Sequence, residues 1–139
     1  MPISENQILR ADDLYHVYDT EAVDGNIVAL RGIYIKVNRG EVVSVVGPSG
    51  SGKSTLMKCL GGLMKSSAGD VFFEGKSISR LSAVELLNLR QHTVSFIFQD
   101  SNLLPYMNVL NNVALPLKYM KVSPRQARRE AMELLERLG

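Results

Sequence analysis

The stretch Glu41-Val42-Val43-Ser44-Val45-Val46-Gly47-Pro48-Ser49-Gly50-Ser51-Gly52-Lys53-Ser54-Thr55 decides how the rest of this chain is read. Its first six residues are rich in β-branched side chains and nearly continuously apolar, the composition of a short strand covered on both faces. From Lys53 to Met64, the apolar residues Leu56, Met57, Leu60, Leu63 and Met64 recur at helical spacing. A glycine-rich loop, Gly47 to Gly52, joins the two. Its glycines permit backbone angles that turn successive N–H groups inward, making a concave nest that fits a diphosphate. A helix starting near Lys53 adds the positive end of its dipole and its unpaired N–H groups. Lys53 is then placed to reach the β- and γ-phosphates as a point charge, the Ser54 hydroxyl to ligate Mg²⁺, and Thr55 to bond the α-phosphate. The pattern predicts a purine-nucleotide site, for ATP with Mg²⁺, built from Gly47, Pro48, Ser49, Gly50, Ser51, Gly52, Lys53, Ser54 and Thr55. A flexible Gly/Ser linker would not stand between a buried strand and an amphipathic helix.

Bulk properties agree with one domain, or part of one. The chain has 139 residues and 45% hydrophobic content, enough for a real core and too little for two ordinary domains. Sixteen Lys and Arg against fourteen Asp and Glu leave a charge of +2 spread along the chain, so composition argues for no nucleic-acid partner. Arg125, Arg128 and Arg129 stand among Glu130, Glu133 and Glu136 and read as a solvated helix face. Cys59 is the only cysteine, which excludes an intrachain disulfide and a cysteine zinc site and fits a reducing compartment. His16 and His92 lie far apart, without metal-ligand spacing. Met1 to Arg10 has no signal-peptide character and no stretch is long enough to cross a bilayer, so a soluble, cytoplasmic chain is expected.

Around the loop, strands and helices alternate. Asp13–Tyr18 and Gly32–Val37 are predicted strands with a turn near Asp24, Gly25 and Asn26, able to form an antiparallel sheet. Glu41–Val46 is the predicted central strand, Gly69–Glu74 another short strand, Ser82–Arg90 a helix and Val94–Phe98 a second buried strand. Ser123, Pro124 and Gln126 predict a capping box opening a helix whose stripe is Ala127, Ala131, Leu134, Leu135 and Leu138.

The chain resembles the nucleotide-binding domain of ATP-binding cassette (ABC) transporters over about Ile8 to Leu138. The likeness rests on Ala29-Leu30-Arg31-Gly32, Gly40-Glu41, Gly47 to Thr55, Phe96-Ile97-Phe98-Gln99, Leu103-Leu104-Pro105 and Asn112-Val113. Gly61-Gly62-Leu63, Gly69-Asp70-Val71 and Ala114-Leu115-Pro116-Leu117 look most like the lipoprotein-releasing and macrolide-efflux type. The resemblance implies an α/β P-loop NTPase: a RecA-like core with an antiparallel sheet over about residues 8–99, then the start of a helical subdomain over about 100–139. It implies that Tyr18 stacks on adenine, with Tyr15 the competing aromatic, and that Gln99 offers its amide oxygen to Mg²⁺ or the attacking water. A glutamine at the carboxyl end of a parallel strand also faces the ligand side of such sheets. Lys53 and Gln99 are thus the expected catalytic residues in this chain, with Ser54 and Gln99 on the metal. Implied partners are transmembrane permease subunits, met by about residues 100–117, and a second nucleotide-binding domain, with the protein peripheral on the inner face of the cell membrane. The apolar run Leu103 to Tyr106 is equally compatible with a small core under the helical segment. Asn111 departs from the family's usual Glu before Asn112-Val113.

The resemblance also implies a Ser-Gly-Gly-Gln signature, an apolar strand ending in Asp-Glu and a switch histidine, none of which is found in these residues. Asp100 follows Gln99 without a strand of its own. The chain is therefore expected to be a truncated, N-terminal part of the domain, holding phosphates without the carboxylate that activates water. Two rivals are a non-catalytic nucleotide-binding module and a nucleotide kinase. Such kinases start almost at the loop, whereas here some forty residues with Tyr18 precede it.

Overall fold

The structure is a computed structural model that describes residues 6–19 and 25–139. It forms two compact units, Met1–Val94 and Ser95–Gly139.

The first unit is organised on strand β1, Gln7–Tyr18. β1 pairs antiparallel with β2, Ile27–Asn38, on one edge and with β3, Ala68–Phe73, on the other; β4, Lys76–Ser77, continues beyond β3 in the order β2-β1-β3-β4. The predicted antiparallel pair is present; β1 begins earlier than expected and ends at Tyr18 as predicted, and β2 is longer at both ends, while Asp24 of the predicted turn lies outside the described residues. The residues buried along β1 run Ala11, Leu14, His16, which changes parity midway. A register shift between Ala11 and Leu14 supplies the extra residue, and Asp13 there takes a positive φ of 49°. One inserted residue exchanges the faces of everything after it, so a sequence without strict alternation still points both halves of the strand inward.

Behind the sheet pack α1, Lys53–Leu60, and α2, Ala83–His92. Leu56, Cys59 and Leu60 of α1 join Ala11, Leu14, Leu30, Val71 and Ile78 in the core, with Leu86 and Leu89 of α2 against it. Leu14 and Val71 are the largest fully buried side chains, and burial of each contributes about 1.5–3 kcal/mol. α1 ends at Leu60 with Gly61 as its C-cap, short of the predicted Met64. A capping box opens α2: the Ser82 hydroxyl accepts from the Glu85 amide at 3.3 Å, and Glu85 Oε2 accepts from the Ser82 amide at 2.8 Å.

Two predicted strands are absent. Glu41–Val46 and Val94–Phe98 belong to no ladder, and Val42, Val46 and Ile97 are 94%, 91% and 102% exposed. Their composition suits a strand covered on both faces, but parallel strands exist only beside hydrogen-bonding neighbours, and among the described residues none lies alongside either segment. The described sheet is wholly antiparallel.

In the second unit α3, Val109–Tyr119, packs on α4, Pro124–Leu138, through Ala114, Ala127 and Ala131. Small residues at all three positions let the two helices approach closely. Leu134 and Leu138 of the expected stripe are 45% and 78% exposed. Ser123 caps the Gln126 amide as expected, at 3.3 Å, but the Gln126 side chain does not close the box. It donates forward to the Glu130 carboxylate at 2.8 Å, a charge-assisted bond one turn along. Arg125, Arg128 and Arg129 are exposed, and Arg129 lies 3.7 Å from Glu133, as expected of a solvated face.

Gly69→Ala is expected to cost more stability than Gly40→Ala. Both glycines sit at positive φ, 79° and 73°, but a Cβ at Gly69 would fall 2.1 Å from the Asp13 carbonyl oxygen while one at Gly40 meets open space. The shared left-handed strain is about 1–2 kcal/mol. Urea unfolding should show the larger loss at Gly69, and equal losses would contradict this close approach. The α2 box predicts a pH dependence. Hydrogen bonds from the Ser82 hydroxyl and then the Ser82 amide hold the Glu85 carboxyl below its ordinary value. A lowered folded-state value favours folding above the unfolded value and loses that contribution as pH falls through the folded one. Ser82→Ala should therefore lie below wild type in thermal unfolding at neutral pH, with the gap narrowing on acidification; a pH-independent gap would count against the carboxylate's part.

Candidate functional site

The glycine-rich loop leads into α1 through Gly52, which caps the helix in the left-handed region at φ 88°. A Cβ there would fall 2.5 Å from the Ala29 carbonyl oxygen of β2, so both the turn and the neighbouring strand require glycine. α1 starts with no side-chain cap and no acidic residue in its first turn. Its first backbone bond beyond the loop runs from Leu56 N to Gly52 O at 2.8 Å. The amides of Lys53, Ser54 and Thr55 therefore stand at the positive end of the helix without intrahelical acceptors, which is the arrangement that attracts an anion.

Lys53 turns back over the loop. Its ammonium donates to Gly47 O at 2.8 Å, Pro48 O at 2.6 Å and the Ser51 hydroxyl at 3.4 Å. The loop's own oxygens thereby hold a cation against the same turn that presents the helix amides. Ser49 and Ser54 are exposed and Thr55 is buried. The Thr55 hydroxyl lies 3.0 Å from the Tyr18 hydroxyl, which brings the end of β1 onto the first turn of α1. Tyr18 remains 37% exposed. Tyr15 is set against Gly32 instead, its hydroxyl 2.9 Å from where a Cβ on that glycine would stand.

Tyr18 is backed by His16, which the sequence marks only as an isolated histidine. His16 is 9% exposed, lies nearly perpendicular to the Tyr18 ring at 4.6 Å between centroids, and hydrogen-bonds through Nδ1 to Lys65 O at 3.1 Å. No local signal in the sequence marks this contact, because Lys65 is distant along the chain. Cys59 belongs to the core. Burial pushes its thiol up from the ordinary value, which makes it a poor nucleophile.

Gln99 falls in the second unit, exposed and in irregular backbone rather than at the end of a strand. The segment after it is shaped by Asn112, whose role was likewise not legible. Asn112 Oδ1 accepts from Leu104 N at 2.7 Å, and Nδ2 donates to the carbonyls of Leu104, Met107 and Asn108 at 3.1, 3.0 and 3.2 Å. The loop so held leaves Leu103 and Tyr106 60% and 80% exposed. Among the described residues no group of three His, Cys, Asp or Glu could hold a metal, and no helix is long and apolar enough to cross a membrane.

A family model described as ABC transporter matches residues 30–139. The chain belongs to the ABC transporter family. It is 45% identical over 132 residues to the lipoprotein-releasing system ATP-binding protein LolD 2 of Caulobacter vibrioides, covering 95% of this chain and 57% of that one. An uncharacterized ABC transporter ATP-binding protein of Thermotoga maritima is 41% identical over 133 residues, 96% of this chain and 56% of the relative. A methionine import ATP-binding protein MetN of Bartonella henselae is 44% identical over 114 residues, 82% of this chain and 33% of the relative. Thus the chain spans between a third and somewhat over half the length of these curated relatives. Among solved structures, the dimeric ATP-binding cassette MJ0796 in a post-hydrolysis state bound to ADP and Pi superposes with a TM-score of 0.82 at 32% identity, over 93% of this chain and 56% of that one. The fold is accordingly that of the P-loop ATPase cassettes of this family.

Asn112→Ala is expected to leave the Leu104 amide without its acceptor, at a cost of about 1–3 kcal/mol. Hydrogen exchange should accelerate at Leu104; unchanged protection there would show that Asn112 does not hold the loop.

Proposed function

We propose that this chain binds Mg²⁺-ATP and serves as nucleotide-binding subunit of an ABC transporter, driving transport through partner membrane subunits. The observation that carries this is the start of α1: helix amides without a cap or first-turn acid, beside a loop on which the Lys53 ammonium is already folded. A polyphosphate fits the sign and the donor set of that turn. In this proposal Gly47 to Gly52 and the α1 amides hold the β-phosphate, Lys53 the β- and γ-phosphates, and Tyr18 the adenine. The Ser54 hydroxyl would help hold Mg²⁺, whose charge offsets that of the phosphates.

Within these 139 residues no apolar run ends in paired acids and no Ser-Gly-Gly-Gln occurs, so we assign grip on the nucleotide to this stretch and not hydrolysis by it alone. The dimeric neighbour supports a second nucleotide-binding domain as partner. The exposed Leu103 and Tyr106 support contact with the membrane subunits through about residues 100–117 on the cytoplasmic side. Relatives of nearly equal identity, 45% and 44%, are named for lipoprotein release and methionine import, which favours a cassette indifferent to cargo, with selection left to the membrane subunits.

Titration with ATP and Mg²⁺ tests the proposal. Lys53→Ala is expected to weaken ATP binding about tenfold or more, the scale of a lost charge-assisted hydrogen bond. Equal affinities in wild type and variant would mean that this loop is not the binding site.

A further inference from the structure

His16 lies outside the phosphate loop, yet it is the side chain on which the base-facing tyrosine rests. It is buried in the first unit, and its Nδ1 must carry a proton, because its partner, the Lys65 carbonyl, can only accept. That bond fixes the orientation of the imidazole. The ring then meets Tyr18 nearly at right angles, 81° between planes, which is a favoured arrangement for an aromatic pair. The Tyr18 hydroxyl is fixed separately by Thr55 Oγ1 and lies 3.6 Å from the Met64 sulfur. The backbone around it is tied to the same connection: Ser67 N donates to Tyr15 O at 2.9 Å and Val17 N to the Ser67 hydroxyl at 3.0 Å. A continuous chain of contacts thus runs Lys65 carbonyl, His16, Tyr18, Thr55. It joins a ring able to stack on a base to the first turn of the phosphate-facing helix.

We infer that His16 is a positioning residue for base recognition: it orients Tyr18 so that the affinity gained from a purine base adds to that gained from the phosphates. The inference rests on the proposed nucleotide site and deepens it. An aromatic ring on a strand end can adopt several side-chain rotamers, and stacking area is collected only in the one that faces the ligand. His16 packs against the ring at nearly a right angle while Thr55 holds its tip, so Tyr18 is arranged before a nucleotide arrives. Tyr15 has neither support, which distinguishes the two tyrosines on geometry.

The experiment compares ATP with inorganic tripolyphosphate, which offers the phosphates without the base, on the full chain and on His16→Ala, His16→Phe, Tyr18→Ala and Lys53→Ala. The readout is the ratio of the two affinities. His16→Ala is expected to weaken ATP about fivefold, the scale of one aromatic pair, with tripolyphosphate unchanged. His16→Phe retains a ring beside Tyr18 without the bond to Lys65 and should recover part of the ratio, keeping the test decisive should the alanine variant unfold. Tyr18→Ala should lower the ratio at least as far. An unaltered ratio in both His16 variants while Tyr18→Ala lowers it would overturn the inference, as would equal weakening of both ligands by His16→Ala and His16→Phe. Failure of Lys53→Ala to weaken tripolyphosphate would instead strike the underlying nucleotide site.

Discussion

Strand β1 is hydrogen-bonded along both edges, and this double pairing is the constraint from which the first unit follows. Its neighbours β2 and β3 come from opposite sides of the glycine-rich loop in sequence, so the loop and α1 are held between two strands that share one partner. The insertion at Asp13 keeps Leu14 and His16 inward after Ala11 has set the first half of the strand. Without the change of parity, Leu14 would face solvent and His16 could not reach Lys65. Core formation and placement of Tyr18 therefore depend on the same local irregularity.

Electrostatics at the head of α1 complement this packing. A helix start without a side-chain cap leaves backbone donors unpaired, which ordinary helices avoid: α2 and α4 open with serines, and α3 with Asn108 accepting from Asn111 N at 2.9 Å. Gly52 cannot cap by side chain, and its close approach to Ala29 admits no larger residue. Among the four helices of the described residues, the one without a side-chain cap is the one that follows the loop on which Lys53 folds. Unpaired helix donors and a nearby cation both favour negative charge at such a turn.

The second unit is held by smaller means. Three alanines bring α3 and α4 together, and one asparagine side chain organises the preceding loop through four backbone contacts. Such a loop keeps its shape without burying its apolar side chains, which accounts for Leu103 and Tyr106 remaining exposed beside an ordered backbone. Either reading of Leu103 to Tyr106 suited the sequence, because an apolar loop residue looks the same whether covered or bare. Asn112 tips the balance for this unit by hydrogen bonding rather than by hydrophobic burial.

By itself the sequence determined the glycine-rich loop between Gly47 and Gly52, the family, the helical character of the segments after Lys53, Ser82 and Ser123, and the antiparallel pairing of β1 with β2. These are local properties: glycine spacing, capping residues and apolar period act over a few residues and need no distant partner. It misjudged Glu41–Val46 and Val94–Phe98, because β-branched composition states only that a strand is suitable, while a ladder requires a neighbour. The tertiary structure alone decided that Tyr18 and not Tyr15 meets α1, that His16 supports it, and that Asn112 clamps the loop at Leu104. Each joins residues through backbone carbonyls or hydroxyls brought together by folding, and no spacing along the chain encodes such a contact.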